Sequence, residues 1–385
     1  MNKHAKLVRE EHHGGLQNLV GDIRAMIEMA RERVAQTVNA GLVMLYWEIG
    51  RRIRQDINRE KRAEYGEKIV ATVSAQLAPQ YGEGFGARNL FRMVRFAEVF
   101  PDRKIVSTLW TQLGWSHFRD IIQLKDPLQR DFYAEMCRLE RWSVRVLQKK
   151  IGGMLFERTA LSRKPAELAR LELAKLRGEN RLTPDLVFRD PYFLDFLRLK
   201  GAYQEKDLEA AILREMESFI LELGAGFSFV ARQKRIQIGG DDFYLDLLFY
   251  HRRLRRLVVV ELKLDRFRPE YKGQMELYLR WLEKYEVQPG EEPPIGLILC
   301  AGGSNEQIEL LRLDKSGIRV AQYFTELPPR QVLSDKLRAA ILAARRRIEL
   351  NSRAFSAARG RATRAESPRR SGGRRRSRSG RPLPF

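Results

Sequence analysis

The 385-residue chain is poor in the residues that build disulfides and soft-metal sites, with two cysteines and five histidines. Cys137 and Cys300 stand in separate apolar stretches, so they form neither a disulfide framework nor a CxxC clip, and both read as buried thiols. His12 and His13 are adjacent, and no HExxH or Cys/His cluster occurs, which leaves zinc chemistry without a ligand set. No apolar run reaches the ~18 residues that a membrane-spanning helix needs. The opening MNKHAKLVREEHH has no apolar segment of a secretory signal. The expectation is a cytoplasmic protein with no membrane association.

Acidic residues are also in short supply, 49 against 71 basic ones, for a net charge of +22. Such a field favours polyanions as partners. Residues 351–385 hold eleven arginines against one acid, Glu366, a net of +10 that leaves +12 for the rest. The globular part is therefore basic in its own right. With 44% hydrophobic residues, the chain has material for two cores of ordinary size.

Residues 15–160 carry apolar positions at three-to-four spacing, as in LVGDIRAMIEMARERVAQTVNAGLVMLYWEIGRRI and ARNLFRMVRFAEVF, and predict an all-helical N-terminal domain. Ser143 is placed to cap a helix in WSVRVLQKKIGGML. Gly82, Gly84 and Gly86 do not follow a strand and read as a turn, not a nucleotide cradle. Residues 161–182 are charged with few large apolar anchors, and the expectation there is a linker helix.

From 183 to 348 the pattern changes. DLVF suggests a short strand, DPYFLDFLRL a short helix, and EKDLEAAILREMESFILELG one long amphipathic helix ended by Gly224. FSFVARQKRIQI, DFYLDLLFY and RRLRRLVVVELKL then read as a three-strand meander, with Gly239, Gly240 and Asp241 turning the first pair. A helix from Pro269, a strand at IGLILC, a helix at SNEQIELLRL and a strand at GIRVAQY complete an α/β domain with a mixed sheet. The whole is α+β. Residues 351–385, mostly Arg, Ser, Gly and Pro, have little to bury and are expected to be disordered.

Asp246 interrupts the apolar run Tyr244, Leu245, Leu247, Leu248, Phe249, where a lone carboxylate carries a heavy desolvation cost and calls for a cation. One strand later VVVELKL sets Glu261 and Lys263 two apart, hence on one face. Two carboxylates and a cation from neighbouring strands suit phosphodiester hydrolysis. Asp246 and Glu261 would be metal ligands, and Lys263 would position or deprotonate water and hold developing charge. Hard oxygen ligands point to Mg2+ or Mn2+. The competing role is a solvated Glu261–Lys263 pair with Asp246 in turn hydrogen bonds.

The stretch ILELGAGFSFVARQKRIQIGGDDFYLDLLFYHRRLRRLVVVELKLDRFRPEYKGQMELYLRWL resembles the YhcG-like branch of the PD-(D/E)XK nuclease superfamily. NAGLVMLYWEIGRRI, YGEGFGARNLFRMVRFAEVFP and WSVRVLQKKIGGMLFERT resemble that family's helical N-terminal domain. The resemblance implies a restriction-endonuclease-like fold over 183–348 and hydrolysis of nucleic acid in bacterial DNA processing or defence; it does not fix the substrate, for which DNA is the expectation. It places the superfamily's catalytic positions on Asp246, Glu261 with Lys263, and Gln274. A further acid from the first core helix falls on Glu217, with Glu215 or Glu209 as alternatives. Gln233, beside the sheet in VARQ, is a candidate for ordering the site or touching nucleic acid, against a plain strand-edge amide.

Arg88, Arg92 and Arg95 recur at helical spacing and are candidate nucleic-acid contacts, with Arg374, Arg375 and Arg376 of the tail. Tyr46, Trp47, Phe96 and Trp142 sit in amphipathic settings and read as core. Two other readings stand beside an active nuclease. One is a binding protein on a nuclease-like fold, and the other is an adaptor in a restriction or defence complex.

Overall fold

A computed structural model describes Arg24, Met26 and residues 37–58, 63–199, 201–303 and 305–365. The N-terminal half is helical: α1 (37–58), α2 (Ala63–Tyr81), α3 (Ala87–Val99), α4 (Arg103–Leu109), α5 (Trp115–Ile121), α6 (Pro127–Glu140) and α7 (Val144–Gly152), then the single turns α8 (Leu155–Arg158) and α9 (Ala160–Arg163). Capping starts these short helices where the sequence supplies an oxygen. Asp102 accepts from the Lys104 amide at 2.8 Å, Asp126 from Leu128 at 2.9 Å, and Ser143 from Val146 at 3.3 Å. Tyr46, Trp47 and Phe96 are buried, and the Trp47 indole donates to the Phe100 carbonyl at 2.8 Å. Trp142 is half-buried against the same core. The glycines at 82, 84 and 86 flank and lie within a 3-10 turn, Glu83–Phe85, as a turn reading requires.

The helix α10 (Ala166–Glu179) is no free linker. Its small apolar stripe buries Ala169, Leu173 and Leu176 in a core shared by both halves, and α10 packs on α6. The next two expectations are reversed: DLVF forms a helical turn, α11 (Pro184–Val187), and Tyr192–Phe193 forms a strand, β1. The reason is tertiary. Tyr192 and Phe193 pair with Tyr323 and Phe324 on the open edge of the last strand, and pairing overrides a weak local helix pattern.

The expected long helix is two, α12 (Glu205–Arg214) and α13 (Met216–Leu223), broken where Glu215 leaves helical geometry at φ −106° and ψ 33°. β2 (Phe227–Ile238), β3 (Asp241–His251) and β4 (Arg256–Leu262) form the meander, followed by α14 (Glu270–Tyr285), β5 (Ile295–Cys300), α15 (Asn305–Leu310), β6 (Ile318–Phe324) and α16 (Arg330–Ala365). The sheet order is β1-β6-β5-β4-β3-β2, parallel from β1 to β4 and antiparallel from β4 to β2. Gly239 and Gly240, at φ 62° and 96°, make the two-residue turn of the β2–β3 hairpin and pair Ile238 with Asp241.

Side-chain alternation divides the sheet. Val258, Val260 and Leu262 face the core shared with α10, α12 and α13, while Leu257 and Val259 face a second core with Met275, Tyr278, Leu279 and Leu282 of α14. Gly296 lets α14 close on β5, because a Cβ there would strike the Met275 side chain. The helix α16 is anchored by Leu333, Leu337 and Ile341 and continues to Ala365. Residues 351–365 thus extend a helix where disorder was expected. Its Ala and Arg content suits propagation from a packed start. Arg374, Arg375 and Arg376 lie outside the described residues. Among the described residues no helix is long and apolar enough to cross a membrane.

Candidate active site

Backbone pairing between β3 and β4 runs from His251↔Arg256 to Leu247↔Val260. One step further the register sets Asp246 opposite Glu261, and side chains take over the ladder. The Asp246 amide donates to Glu261 Oε1 at 3.2 Å, and the Leu262 amide donates to Asp246 Oδ2 at 3.0 Å. Across β2 and β3, Arg232 pairs with Leu247 and Lys234 with Leu245, which sets Gln233 opposite Asp246. Its amide Nε2 donates to Asp246 Oδ1 at 3.1 Å and to Glu209 Oε2 of α12 at 3.0 Å. Gln233 holds a left-handed backbone, φ 43°, which costs about 1–3 kcal/mol for a residue with a Cβ and occurs where surroundings impose it. Gln233, Asp246 and Glu261 form one row across three strands, with Glu209 joined at its end.

Lys263 follows on the face of Glu261. Its Nζ lies 3.4 Å from Glu261 Oε2 and 4.0 Å from Glu205 Oε2, and 5.6 Å from the centre of the Tyr271 ring. Burial works to lower the Lys263 pKa, but Glu261, Asp246 and Glu205 outweigh it and hold the ammonium charged. Glu261 is 3% exposed, and burial with Asp246 close by pushes its carboxyl up to about 7 against the partial relief of Lys263. Glu209 Oε1 is buried and has no hydrogen-bond partner. These are signs of negative charge short of a counter-cation.

The candidates of the sequence do not all converge. Gln274 donates to the Tyr278 hydroxyl at 2.6 Å, one turn along α14, and not to either carboxylate. Tyr278 in turn donates to the Tyr244 carbonyl at 3.4 Å. Glu217 and Glu215 are exposed around the start of α13, outside this set; the acid joined to it is Glu209. Sequence reasoning misses Glu205 and Tyr271. An acid on a helix face and a tyrosine in a helix first turn carry no sequence signal until the helices are docked.

Arg88, Arg92 and Arg95 share α3 in the other half. Burial and the charges of Arg88 and Arg119 depress the Arg92 pKa, marking a basic cluster across α3 and α5. Arg95 is paired with Glu98 at 2.7 Å. His117 is structural: it accepts from the Gly114 amide at 3.2 Å and meets the Trp142 carbonyl at 2.9 Å.

Residues 22–158 match the family described as the DUF1016 N-terminal domain, and residues 185–338 match the YhcG PDDEXK nuclease domain. Over 354 residues, 84% of this chain and 94% of the relative, the sequence is 34% identical to the Escherichia coli (strain K12) protein named "Putative nuclease YhcG". The chain belongs to the YhcG family. Part of the chain aligns with solved endonucleases, among them a repair endonuclease from Pyrococcus abyssi at 24% identity and TM-score 0.23, covering 34% of this chain and 50% of that one. A complex titled EndoMS-dsDNA2 aligns at 21% identity and TM-score 0.24, covering 34% and 49%. The chain spans about half the length of each. As a YhcG-family member it has a helical N-terminal region, a C-terminal mixed sheet and a PD-(D/E)XK nuclease domain, the architecture expected from the sequence.

A divalent cation fits the donor set of this YhcG-family site. Asp246 and Glu261 offer hard carboxylate oxygens, each oxygen already steadied by one N–H donor, and burial together with the neighbouring Asp246 drives Glu261 toward neutrality. Among the described residues no group of three or more His, Cys, Asp or Glu is placed to hold a metal. Two carboxylates with water and substrate phosphate completing the shell is the usual arrangement for Mg2+.

Proposed function

We propose that this chain is a divalent-metal-dependent nuclease acting on DNA, with Asp246 and Glu261 as the ligands of Mg2+ or Mn2+. The observation that carries the reading is the Gln233–Asp246–Glu261 row with Lys263 beside it. A buried carboxylate, Glu261, facing a half-buried one, Asp246, at the end of a strand ladder is costly to the fold and has no structural use that apolar residues would not serve better. When bound, the cation supplies Lewis acidity that polarises a phosphate and acidifies water.

The protein groups have separate tasks. Lys263 stays protonated, so it donates to a phosphate oxygen and balances the charge that grows there, and it is not the base that deprotonates water. Gln233 fixes the orientation of Asp246 through Oδ1, leaving Oδ2 on the Leu262 amide. The backbone amide of Asp246 steadies Glu261. Glu209, with one oxygen on Gln233 and the other free, anchors α12 to the row and is available to orient water.

DNA as substrate rests on the net charge of +22, the basic cluster of α3 and α5, and family membership. The helical half, through Arg88, Arg92 and Arg95, would grip phosphates outside the cut site. The test is cleavage of labelled single- and double-stranded DNA and RNA with Mg2+, with Mn2+ and with EDTA. The expected result is metal-dependent cutting of DNA that Asp246→Ala, Glu261→Ala and Lys263→Ala each abolish, a double variant being no worse than a single one. Equal turnover by a folded Asp246→Ala, Glu261→Ala double variant would refute the assignment.

A further inference from the structure

Beside the carboxylate row a cavity of about 460 Å³ opens at the carboxyl ends of β4, β5 and β6, three of the parallel strands. Its wall includes Leu264, which follows Lys263, and Ala301, which follows the last residue of β5, together with Tyr323 and Phe324 at the end of β6. In open sheets with parallel strands, this end is where ligands bind. The size falls in the ~300–1,000 Å³ range of sites built for one small ligand. Tyr203 and Thr325 close the other side, their hydroxyls 3.5 Å apart.

The cavity and the carboxylate row share parts. The Tyr323 hydroxyl donates to the Lys263 carbonyl at 3.4 Å. Glu205 lies 4.0 Å from the Lys263 ammonium and accepts from the Leu264 amide at 3.4 Å. Whatever occupies the cavity is therefore within one or two residues of the group assigned to the scissile phosphate.

The chemistry of the wall selects among parts of a nucleotide. Among the described residues lining it none is Arg or Lys, and Glu326 is a carboxylate, so the described wall offers a phosphate no counter-charge. Aromatic faces with tyrosine and threonine hydroxyls suit a flat, neutral, hydrogen-bonding ring. We infer that this cavity takes one unstacked nucleobase of the substrate strand, next to the phosphate held at Asp246, Glu261 and Lys263. The base is removed from its stack, and the half-buried Tyr203 ring, steadied by Thr325, is its platform. The inference rests on the nuclease reading and adds that the enzyme engages a single-stranded or locally opened strand.

The decisive experiment does not depend on cleavage. Twelve-nucleotide single-stranded DNA carrying 5-iodouracil is photo-crosslinked to the full chain in EDTA, and the attached peptide is mapped by mass spectrometry. Attachment is expected at Tyr203, Tyr323 or Phe324. Ala202→Trp, at an exposed residue of the cavity mouth, should fill the space and remove this crosslink with no change in thermal melting. Tyr203→Phe should keep the affinity, and Tyr203→Ala should lower it by about 5- to 150-fold, the range of one base–aromatic stack. Crosslinks confined to other surfaces, no crosslink at all, or unchanged affinity in both Ala202→Trp and Tyr203→Ala overturns the inference. Absence of any cutting in Mg2+ or Mn2+ strikes the nuclease reading instead, and the crosslink map still decides what the cavity binds.

Discussion

Asp246 and Glu261 face each other one rung beyond the last backbone pair of β3 and β4, and each carboxylate accepts a hydrogen bond from the main chain of the other strand. The strand ladder is continued by its own acids. A site built this way is rigid, because both carboxylates are fixed by the same hydrogen-bond pattern that fixes the sheet. It is also electrostatically strained, since burial and the neighbouring Asp246 raise Glu261 to about 7.

That strain gives a stability prediction with a definite sign. Glu261 binds its proton more tightly folded than unfolded, so its contribution is fully present below the ordinary carboxylate range and is lost as pH rises through about 7. Glu261→Gln should therefore stabilise the protein at pH 8 in EDTA by about 1–3 kcal/mol, with a smaller effect at pH 5. Thermal melting at both pH values checks it. Mg2+ should raise the melting temperature of the native protein at pH 8 and leave that of Glu261→Gln nearly unchanged, and equal shifts would argue against Glu261 as a ligand.

Gln233 bridges Glu209 and Asp246, so its loss brings two acids together without a shared donor. Gln233→Ala and Glu209→Ala should each slow cleavage by about 10- to 100-fold, the size seen when a residue orienting a metal ligand is removed. Glu217→Ala, on the exposed start of α13, should cut at the native rate. Single-turnover rates of the three variants separate the two acids, and a defect in Glu217→Ala alone would restore the assignment made from resemblance.

Glu222 ties the halves together: it is 2.5 Å from Arg158 at the end of the helical region and 3.1 Å from Arg189 before the sheet, and it accepts from the Phe193 amide at 2.9 Å. Arg158 and Arg189 are both buried. Glu222→Ala leaves two buried guanidiniums without their partner and should cost about 3–5 kcal/mol in urea unfolding. A loss under about 1 kcal/mol, the scale of an exposed pair, would mean that water or a rearranged acid replaces it.

The basic surfaces are tested by salt dependence. Replacing Arg88, Arg92 and Arg95 with Ala should weaken DNA binding without altering the single-turnover rate at saturating protein. Deleting residues 366–385 should flatten the salt slope by roughly 0.7–0.9 log units per log of salt for each phosphate that the arginines no longer neutralise. Slopes measured by anisotropy at several salt concentrations decide this, and unchanged slopes would remove both segments from the interface.

By itself the sequence determined the strands β2 to β6 and the Gln233, Asp246 and Glu261 positions on them. The Gly239–Gly240 turn fixes the β2–β3 register, and a two-residue spacing sets Glu261 and Lys263 on one face; both are local facts of chain geometry. It also determined the helical half, where amphipathic spacing and caps are read within a few residues. Only the tertiary structure decided which helix acid joins the row, because the break at Glu215 and the docking of α12 bring Glu209 to Gln233 while leaving Glu217 in solvent. Only it decided that Tyr192 and Phe193 form a strand, since their partner lies 131 residues away on β6. The cavity beside Lys263 is of the same kind. Its wall comes from segments before α12 and after β4, β5 and β6, and no local pattern in any of them marks a shared space that exists only once the sheet is assembled.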